Sequence, residues 1–544
     1  MSDERSSPRR QVAGRWIRWD APRAAQAYAR GHWVRETLAD TLARAAGETP
    51  DRLLLIDGAT RISCADLHHQ AHTLAQSLLA RAPAGSVVSF MLPNWHEAAV
   101  IYLAATLAGM VVNPILPSLR ERELRFILED VDSRLIFIPA EFRKLDYRDL
   151  LNHVVTSLAH PPEVVVVRGE PGPHQAYAAL LTDRNTRHPL PDQDADAVRM
   201  VLYTSGTTGR PKGVMHTHNS LHALLTQLRE HWHVAPGDRF LVPSPISHIG
   251  GSIYVFEAPL LLGTTAVLMD GWAPDDAVRL MLAEGCTHMA GATPFLEGLL
   301  AAARRANTEL PQLKVFICGG ASVPPSLIRE AQQTFANAIV TRVYGSTEVP
   351  VTTVGATLQE ESDAAADTDG RAGHAELRLV DHGAAPPGEG EVYARGPQML
   401  VGYLRPEDDD TAFDDQGYFR TGDLARMVAG RYLVVTGRAK DIIIRNGENI
   451  APKEVEDLLV RHPQVAEIAI VGLPDPRTGE RACAVIVPRP GTPPDVDSLS
   501  RYLREQGMAV FKAPEQVVLR DTLPKNDAGK VLKHQLRAEL MPAT

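Results

Sequence analysis

The residues Tyr203-Thr204-Ser205-Gly206-Thr207-Thr208-Gly209-Arg210-Pro211-Lys212-Gly213 gather hydroxyls, glycines and one ammonium directly after the apolar run Met200 to Leu202. A strand that feeds such a loop brings backbone N–H groups, side-chain hydroxyls and a lysine close to polyphosphate oxygens. The segment reads as a phosphate cradle. It is not the ordinary P-loop, because Gly206 is not followed at the right offset by Gly-Lys-Ser/Thr and Pro211 interrupts the start of any helix. A second chemical cluster, Tyr344-Gly345-Ser346-Thr347-Glu348, follows the apolar run Ile339 to Val343. That places a polar turn at a strand end, where ligands collect in open α/β sheets.

Further strings carry residues of the same character. Cys318-Gly319-Gly320-Ala321 is a turn of small residues, which let a backbone approach a ligand closely. Gly417 to Asp423 and Gly437-Arg438-Ala439-Lys440-Asp441 offer a carboxylate and a guanidinium. Asn446-Gly447-Glu448-Asn449-Ile450 and Leu523-Pro524-Lys525-Asn526-Asp527-Ala528-Gly529-Lys530 lie toward the C-terminus, and Pro245-Ile246-Ser247-His248-Ile249-Gly250-Gly251 holds a histidine before two glycines.

In this order, and over about residues 50 to 540, these motifs resemble the adenylate-forming superfamily, which includes acyl-CoA synthetases, the adenylation domains of peptide synthetases and luciferases. The resemblance implies ATP, Mg²⁺ and coenzyme A as cofactors and a carboxylic acid as substrate. Thr204, Ser205, Gly206, Thr207, Thr208, Gly209 and Lys212 would hold the departing pyrophosphate. Tyr344 would pack on adenine beside Gly345, Thr347 would contact the α-phosphate, and Glu348, with Thr204, would hold Mg²⁺. These roles suit an aromatic face, a hydroxyl and a hard carboxylate oxygen. Gly319, Gly320 and Ala321 would line the adenine and acyl sites. Asp423 would accept hydrogen bonds from the ribose hydroxyls, and Arg438 would donate to the ribose or phosphate region. Lys440 falls where the family pivots its small domain, a position that must tolerate two backbone settings. Lys530 would reach the α-phosphate and the carboxylate during adenylation. Gly447 would leave room for the pantetheine arm.

By the same resemblance His248 gates the acyl site, and Ser247 stands where the family often has an aromatic. Ile249, Gly250, Gly251, Tyr254, Thr293 and Phe295 are the expected pocket wall, being small or apolar. No carboxylate or amide sits where it could bind an amino-acid ammonium, which favours a plain hydrophobic acid. Asn113-Pro114, Arg120 to Leu124 and Phe142 to Tyr147 look like the branch acting on medium-chain or cyclohexane-type carboxylates. The leading expectation is an AMP-forming acid–thiol ligase of fatty acid metabolism. Its rivals are a ligase that loads a carrier protein and a non-catalytic nucleotide-binding protein.

The elements that must position these residues follow from length and texture. A chain of 544 residues exceeds one ordinary core. Short apolar β-rich runs such as Val87 to Met91, Leu135 to Ile138, Val164 to Val167, Ala266 to Met269 and Val315 to Cys318 alternate with helical patterns, including Pro274 to Glu284 and Pro325 to Ala336. This predicts an α/β fold: a large multi-sheet N-terminal domain with helices over parallel sheets, followed by a small mobile α+β domain. The expected division is residues 1–48 as an N-terminal arm and first helix, 49–437 as the ATP- and acyl-binding domain, and 438–544 as the small domain hinged at Lys440. The Arg-rich beginning reads as a solvated arm. Leu358 to Thr368, acidic and Ala-rich, reads as an exposed loop.

A net charge of -10 argues against a primary nucleic-acid partner. Ala98 to Val112 is too short to span a bilayer and reads as a buried core helix. Cys64, Cys286, Cys318 and Cys483 lie far apart, with no Cys or His at metal-ligand spacing, so a reducing, cytoplasmic setting without a zinc site is expected. Beyond the small-molecule acid, ATP and coenzyme A, a second copy of the chain in a homodimer is the one macromolecular partner considered.

Overall fold

The computed structural model describes residues 9–182, 187–204, 210–320, 323–335, 337–382, 388–445, 448–526 and 529–541, the side chains of 359, 448 and 449 excepted. Two seven-stranded sheets form its centre. The first runs in the order Gln175–Ala176, Glu163–Val167, Ser133–Pro139, Val87–Phe90, Val111–Pro114, Val198–Thr204 and Lys212–Thr217. The second runs Ile339–Val343, Val315–Gly319, His288–Gly291, Arg239–Val242, Thr265–Leu268, Leu53–Asp57 and Thr60–Ser63. Neighbouring strands are parallel except for one antiparallel hairpin at an edge of each sheet. Their short runs of Val, Ile and Leu are apolar on both faces, as strands covered on both sides must be.

Between the sheets lies the helix His96–Leu107, in which every residue from Ala98 to Leu107 is buried. A helix apolar all round has no face to offer water, so it belongs inside a core. The helices Cys64–Leu79 and His218–His231 share this layer, and their leucines join Phe90, Phe137, Phe240 and Phe256 in one hydrophobic cluster. The helices Glu121–Asp130 and Tyr147–Val155 cover the outer face of the first sheet. The helices Pro274–Glu284, Thr293–Arg305 and Pro325–Thr334 cover the second.

A four-stranded antiparallel sheet, Glu376–Val380, Gly390–Arg395, Phe419–Val428 and Tyr432–Arg438, completes the large body. C-terminal to it, a five-stranded sheet is built from Glu448–Ile450, Ile443–Arg445, Gly479–Pro488, Val465–Asp475 and Gln516–Leu519. One face of this sheet packs on the helices Pro452–Leu459 and Val496–Glu505. The expected α/β architecture, a large multi-sheet body and a small C-terminal sheet domain, is the observed one. Among the described residues no helix is long and apolar enough to cross a membrane.

Two local expectations fail. Leu358 to Thr368 is not an exposed loop: it contains the helix Ser362–Asp367, with Ala365 and Ala366 buried. Glu361, just before it, accepts hydrogen bonds from Arg431 and the Tyr432 hydroxyl, at 2.7 and 2.8 Å. The acids face solvent and ion partners while the alanines face the core, a division that composition alone hides. Nor is the described part of the Arg-rich beginning a solvated arm. It forms the hairpin Arg9–Val12 with Arg15–Arg18, buries Val12 and Ile17, and pairs Arg9 with Asp409 and Arg10 with Asp196.

Candidate functional site

The candidate site lies at the carboxyl ends of strands from both large sheets. Val198–Thr204 and Lys212–Thr217 form the hairpin that carries the cradle, with Thr204 directly opposite Lys212 in the register. Residues opposite one another in an antiparallel pair project to the same face, so the Thr204 hydroxyl and the Lys212 ammonium are presented together. A strand, not a helix, follows the loop, in keeping with its departure from P-loop spacing. Ser205, Gly206, Thr207, Thr208 and Gly209 lie outside the described residues.

Across from the hairpin, the Tyr344 to Glu348 turn leaves the strand Ile339–Val343. Thr204 Oγ1 donates to Glu348 Oε1 at 3.4 Å, and the Tyr403 hydroxyl donates to the same oxygen at 3.1 Å. His216 Nε2 bonds the Thr347 carbonyl at 2.8 Å, tying the second strand of the hairpin to the turn. Burial pushes the His216 imidazole down to about 4, so it is neutral and donates through Nε2. Gly345 could not be another residue without backbone movement, since a Cβ there would sit 2.7 Å from the Val351 nitrogen. A Cβ on Gly319, at the end of Val315–Gly319, would sit 2.8 Å from the Val343 carbonyl oxygen. Gly320 takes a left-handed φ of 83° and faces open space, whereas Ala321 lies outside the described residues.

Lys212 is held by Asp408 at 3.4 Å and lies 4.9 Å from the centre of the Tyr403 ring, and Arg210 reaches the same Asp408 oxygen at 2.9 Å. Two cations thus converge on one buried carboxylate beside the cradle, an arrangement that a polyphosphate could take over.

The antiparallel third sheet supplies the next wall. Asp423 and Arg438 are register partners on adjacent strands, with Arg438 Nε 2.9 Å from Asp423 Oδ1. The Tyr344 hydroxyl donates to Asp423 Oδ2 at 2.7 Å, which links the aromatic turn to the carboxylate. Burial, and then the charge of Asp423, raise the Tyr344 phenol well above its ordinary value, so it stays a donor.

The C-terminal lysine reaches the same place. Its loop is closed by a bridge between Lys525 and Val531 and by the bond from Lys530 N to Asn526 Oδ1 at 2.8 Å. Gly529 faces the large body, where an added Cβ would lie 3.3 Å from Pro294 Cγ, next to the expected pocket residues Thr293 and Phe295. Lys530 is exposed as a residue, yet the loss of water around its ammonium and then the nearby Arg438 lower its pKa, against the opposing charges of Asp423 and Asp441. Lys440 is exposed in the short turn Ala439–Asp441, between the third sheet and the small domain. Gly447 lies outside the described residues.

Along the expected pocket wall, His248 precedes the short helix Ile249–Ser252 and donates its backbone N–H to the Pro245 carbonyl at 3.0 Å. Gly250 is exposed with open space before it, and Ile249 is half-buried. Gly251 is small for another reason than admitting a ligand: a Cβ there would meet the Pro245 carbonyl oxygen at 2.1 Å. Phe295 stands edge-on to Trp272 with ring centres 4.9 Å apart, and Tyr254 is buried in the core, stacked on Phe240 at 5.0 Å.

Tyr403, Asp408, Arg210 and His216 are parts of this arrangement that spacing did not single out as partners. Tyr403 and Asp408 come from a segment nearly two hundred positions beyond the cradle, and no periodicity marks them. Glu348 and Thr204 fit a hard divalent cation: their oxygens are near enough for one Mg²⁺ to take both, and a carboxylate with a hydroxyl is a donor set suited to it.

The hairpin through Thr204 and Lys212, the Thr204–Glu348 pair and Lys530 beside Asp423 and Arg438 are groups that a nucleotide-using ligase would need. The AMP-binding enzyme model matches residues 42–404 and the AMP-binding enzyme C-terminal domain model matches residues 454–530. The chain belongs to this family of adenylate-forming ligases. It is 35% identical over 526 residues to a medium-chain fatty-acid–CoA ligase of Escherichia coli, covering 94% of this chain and 92% of that one. It is 32% identical to a salicyl-AMP ligase / salicyl-S-ArCP synthetase of Mycobacterium tuberculosis, covering 98% and 95%. Among solved structures, ATP-bound MatB from Rhodopseudomonas palustris superposes with a TM-score of 0.81 at 28% identity, covering 92% of this chain and 98% of that one.

Proposed function

We propose that this ligase converts a hydrophobic carboxylic acid, medium-chain, alicyclic or aromatic, to its coenzyme A thioester through an acyl-adenylate. A carboxylate oxygen attacks the α-phosphorus of ATP, the bond to the β-phosphate oxygen breaks, and pyrophosphate leaves toward Thr204, Ser205, Thr207, Thr208 and Lys212. Lys530 offsets the charge that develops on the α-phosphate and carboxylate. Glu348 and Thr204 would hold Mg²⁺, which would supply neutralisation of phosphate charge. Tyr344 packs on adenine, with Asp423 and Arg438 at the ribose. Residues 438–544 then turn about Lys440, withdrawing Lys530. The coenzyme A thiol, losing its proton, adds to the acyl carbonyl beside Gly447, and AMP departs with the electron pair of the broken acyl–phosphate bond.

The observation that carries this reading is the seating of the Lys530 loop against Pro294 and beside Asp423 and Arg438, which brings the C-terminal lysine to the wall that also holds Tyr344. Lys530→Ala is expected to abolish acid-dependent ATP–pyrophosphate exchange while leaving thioester formation from supplied acyl-AMP largely intact. Equal loss of both half-reactions counts against it. A hydrophobic acid is favoured by the medium-chain ligase relative.

A second reading, transfer to a carrier-protein pantetheine, is favoured by the salicyl-AMP ligase relative. Screening acids for AMP release with and without coenzyme A separates the two: acyl-adenylate that accumulates undiminished in coenzyme A favours the carrier protein.

A further inference from the structure

On the far end of the helix His218–His231 from the phosphate hairpin, three chain segments converge. Glu230 and His231 close the helix, and His374 lies in the strap before the strand Glu376–Val380. Each offers one ligand atom, and these atoms lie within 4.8 Å of one another. His374 Nε2 is 2.7 Å from Glu230 Oε2, and the ring of His32 stacks on His374 with centres 4.1 Å apart.

Backbone contacts hold the group in place. The His374 N–H donates to Gln227 Oε1 at 2.6 Å, and a Cβ on the preceding Gly373 would fall 2.1 Å from that same oxygen, so a larger residue there would have to displace the Gln227 side chain. His32 is tied to the helix through its carbonyl, which bonds His222 Nδ1 at 2.8 Å. The His374 side chain keeps only 8% of its surface exposed, and the nitrogen it turns toward Glu230 is Nε2, so the ring presents one ligand atom to the cluster.

We propose that Glu230, His231 and His374 form a site for one divalent cation of borderline softness, zinc foremost, which fastens the end of the helix to the strap. Two imidazoles and a carboxylate are a common donor set for Zn²⁺, at bond lengths of about 2.0–2.2 Å, with the fourth tetrahedral position left to water. Small rotations bring the ligand atoms to that spacing, and Glu230, the most exposed of the three, is free to make them. The cations near the group are Arg30 and Arg371, and Glu230 stands against them. The other cluster of this kind among the described residues, Asp57, His96 and Glu97, is already taken by a cation: Arg168 lies 2.6 Å from Asp57 and 2.7 Å from Glu97. Spacing along the chain could not disclose the first cluster, because His374 lies far from the Glu230-His231 pair in sequence.

The test uses the full chain without an affinity tag, stripped with a chelator and titrated with Zn²⁺ against a chromogenic competitor, then with Co²⁺ to read the coordination geometry from its visible absorption. One saturable equivalent is expected, with tetrahedral Co²⁺ bands. His374→Asn and Glu230→Gln should weaken it by more than the roughly 10–100-fold that follows loss of an outer contact. His96→Asn should retain it. ATP–pyrophosphate exchange in Mg²⁺ reports that each variant is folded, and the exposed Glu230→Gln stands in if His374→Asn does not fold. No saturable equivalent, or equal affinity in a folded Glu230→Gln variant, overturns the proposal.

Discussion

Tyr344→Phe isolates one link between the turn proposed to hold adenine and the carboxylate proposed to hold the ribose. The substitution keeps the aromatic face and removes only the hydroxyl that donates to Asp423 Oδ2 at 2.7 Å. Asp423 would then be held by Arg438 alone, through its other oxygen at 2.9 Å. A hydrogen bond to a charged group contributes about 1.5–3 kcal/mol, and the loss is partly offset when water reaches the freed oxygen. A net penalty of about 1.4 kcal/mol on the bound nucleotide corresponds to tenfold in affinity. The KM for ATP in acid-dependent pyrophosphate exchange is therefore expected to rise about tenfold. The maximal rate at saturating ATP should change little, because the hydroxyl touches no reacting atom. An unchanged KM in a variant with a normal melting curve, or a fall in maximal rate alone, would refute the idea that Tyr344 orients Asp423 for the ribose.

Two further outcomes follow from buried groups. His216 is neutral in the fold because burial lowers its pKa to about 4 from an ordinary 6.5, so the unfolded chain binds the extra proton as pH falls below 6.5. The stabilisation is fully present above that value and is lost as pH falls toward about 4. Urea unfolding at pH 5.5 should show about 1.4 kcal/mol less stability from this residue than at pH 7.5, and His216→Gln should flatten that part of the profile. Arg342 donates to the buried Asp369 at 3.1 and 2.6 Å, and Asp369 also caps the Val435 N–H. Arg342→Leu leaves that carboxylate without its charge partner, and thermal unfolding should report a loss of about 3–5 kcal/mol; a loss under about 1 kcal/mol would show that the pair is dispensable.

Much of the fold is legible in local pattern. The apolar runs at Val87, Val164 and Val315 are strands because short β-branched stretches between turns have few other ways to be buried. Pro274 opens its helix because proline is pre-set for a first turn. The site is legible where its parts are contiguous, as in the cradle hairpin and the Tyr344 turn. Pattern fails where the deciding partner is remote. The helix Ser362–Asp367 needs its alanines matched to a core that the sequence does not display, and the hairpin at Arg9 needs Asp196 and Asp409, which lie hundreds of positions away.

By itself, the order of residues determined the chemistry on offer: hydroxyls and a lysine after one strand, a glutamate after another, and a second lysine near the end of the chain. Tertiary structure alone decided which of them meet. It set Tyr403 and Asp408 against Lys212, joined Tyr344 to Asp423, and laid the Lys530 loop on Pro294. The physical reason is range: propensity and periodicity act over a few residues, whereas a site is assembled by packing forces that ignore distance along the chain.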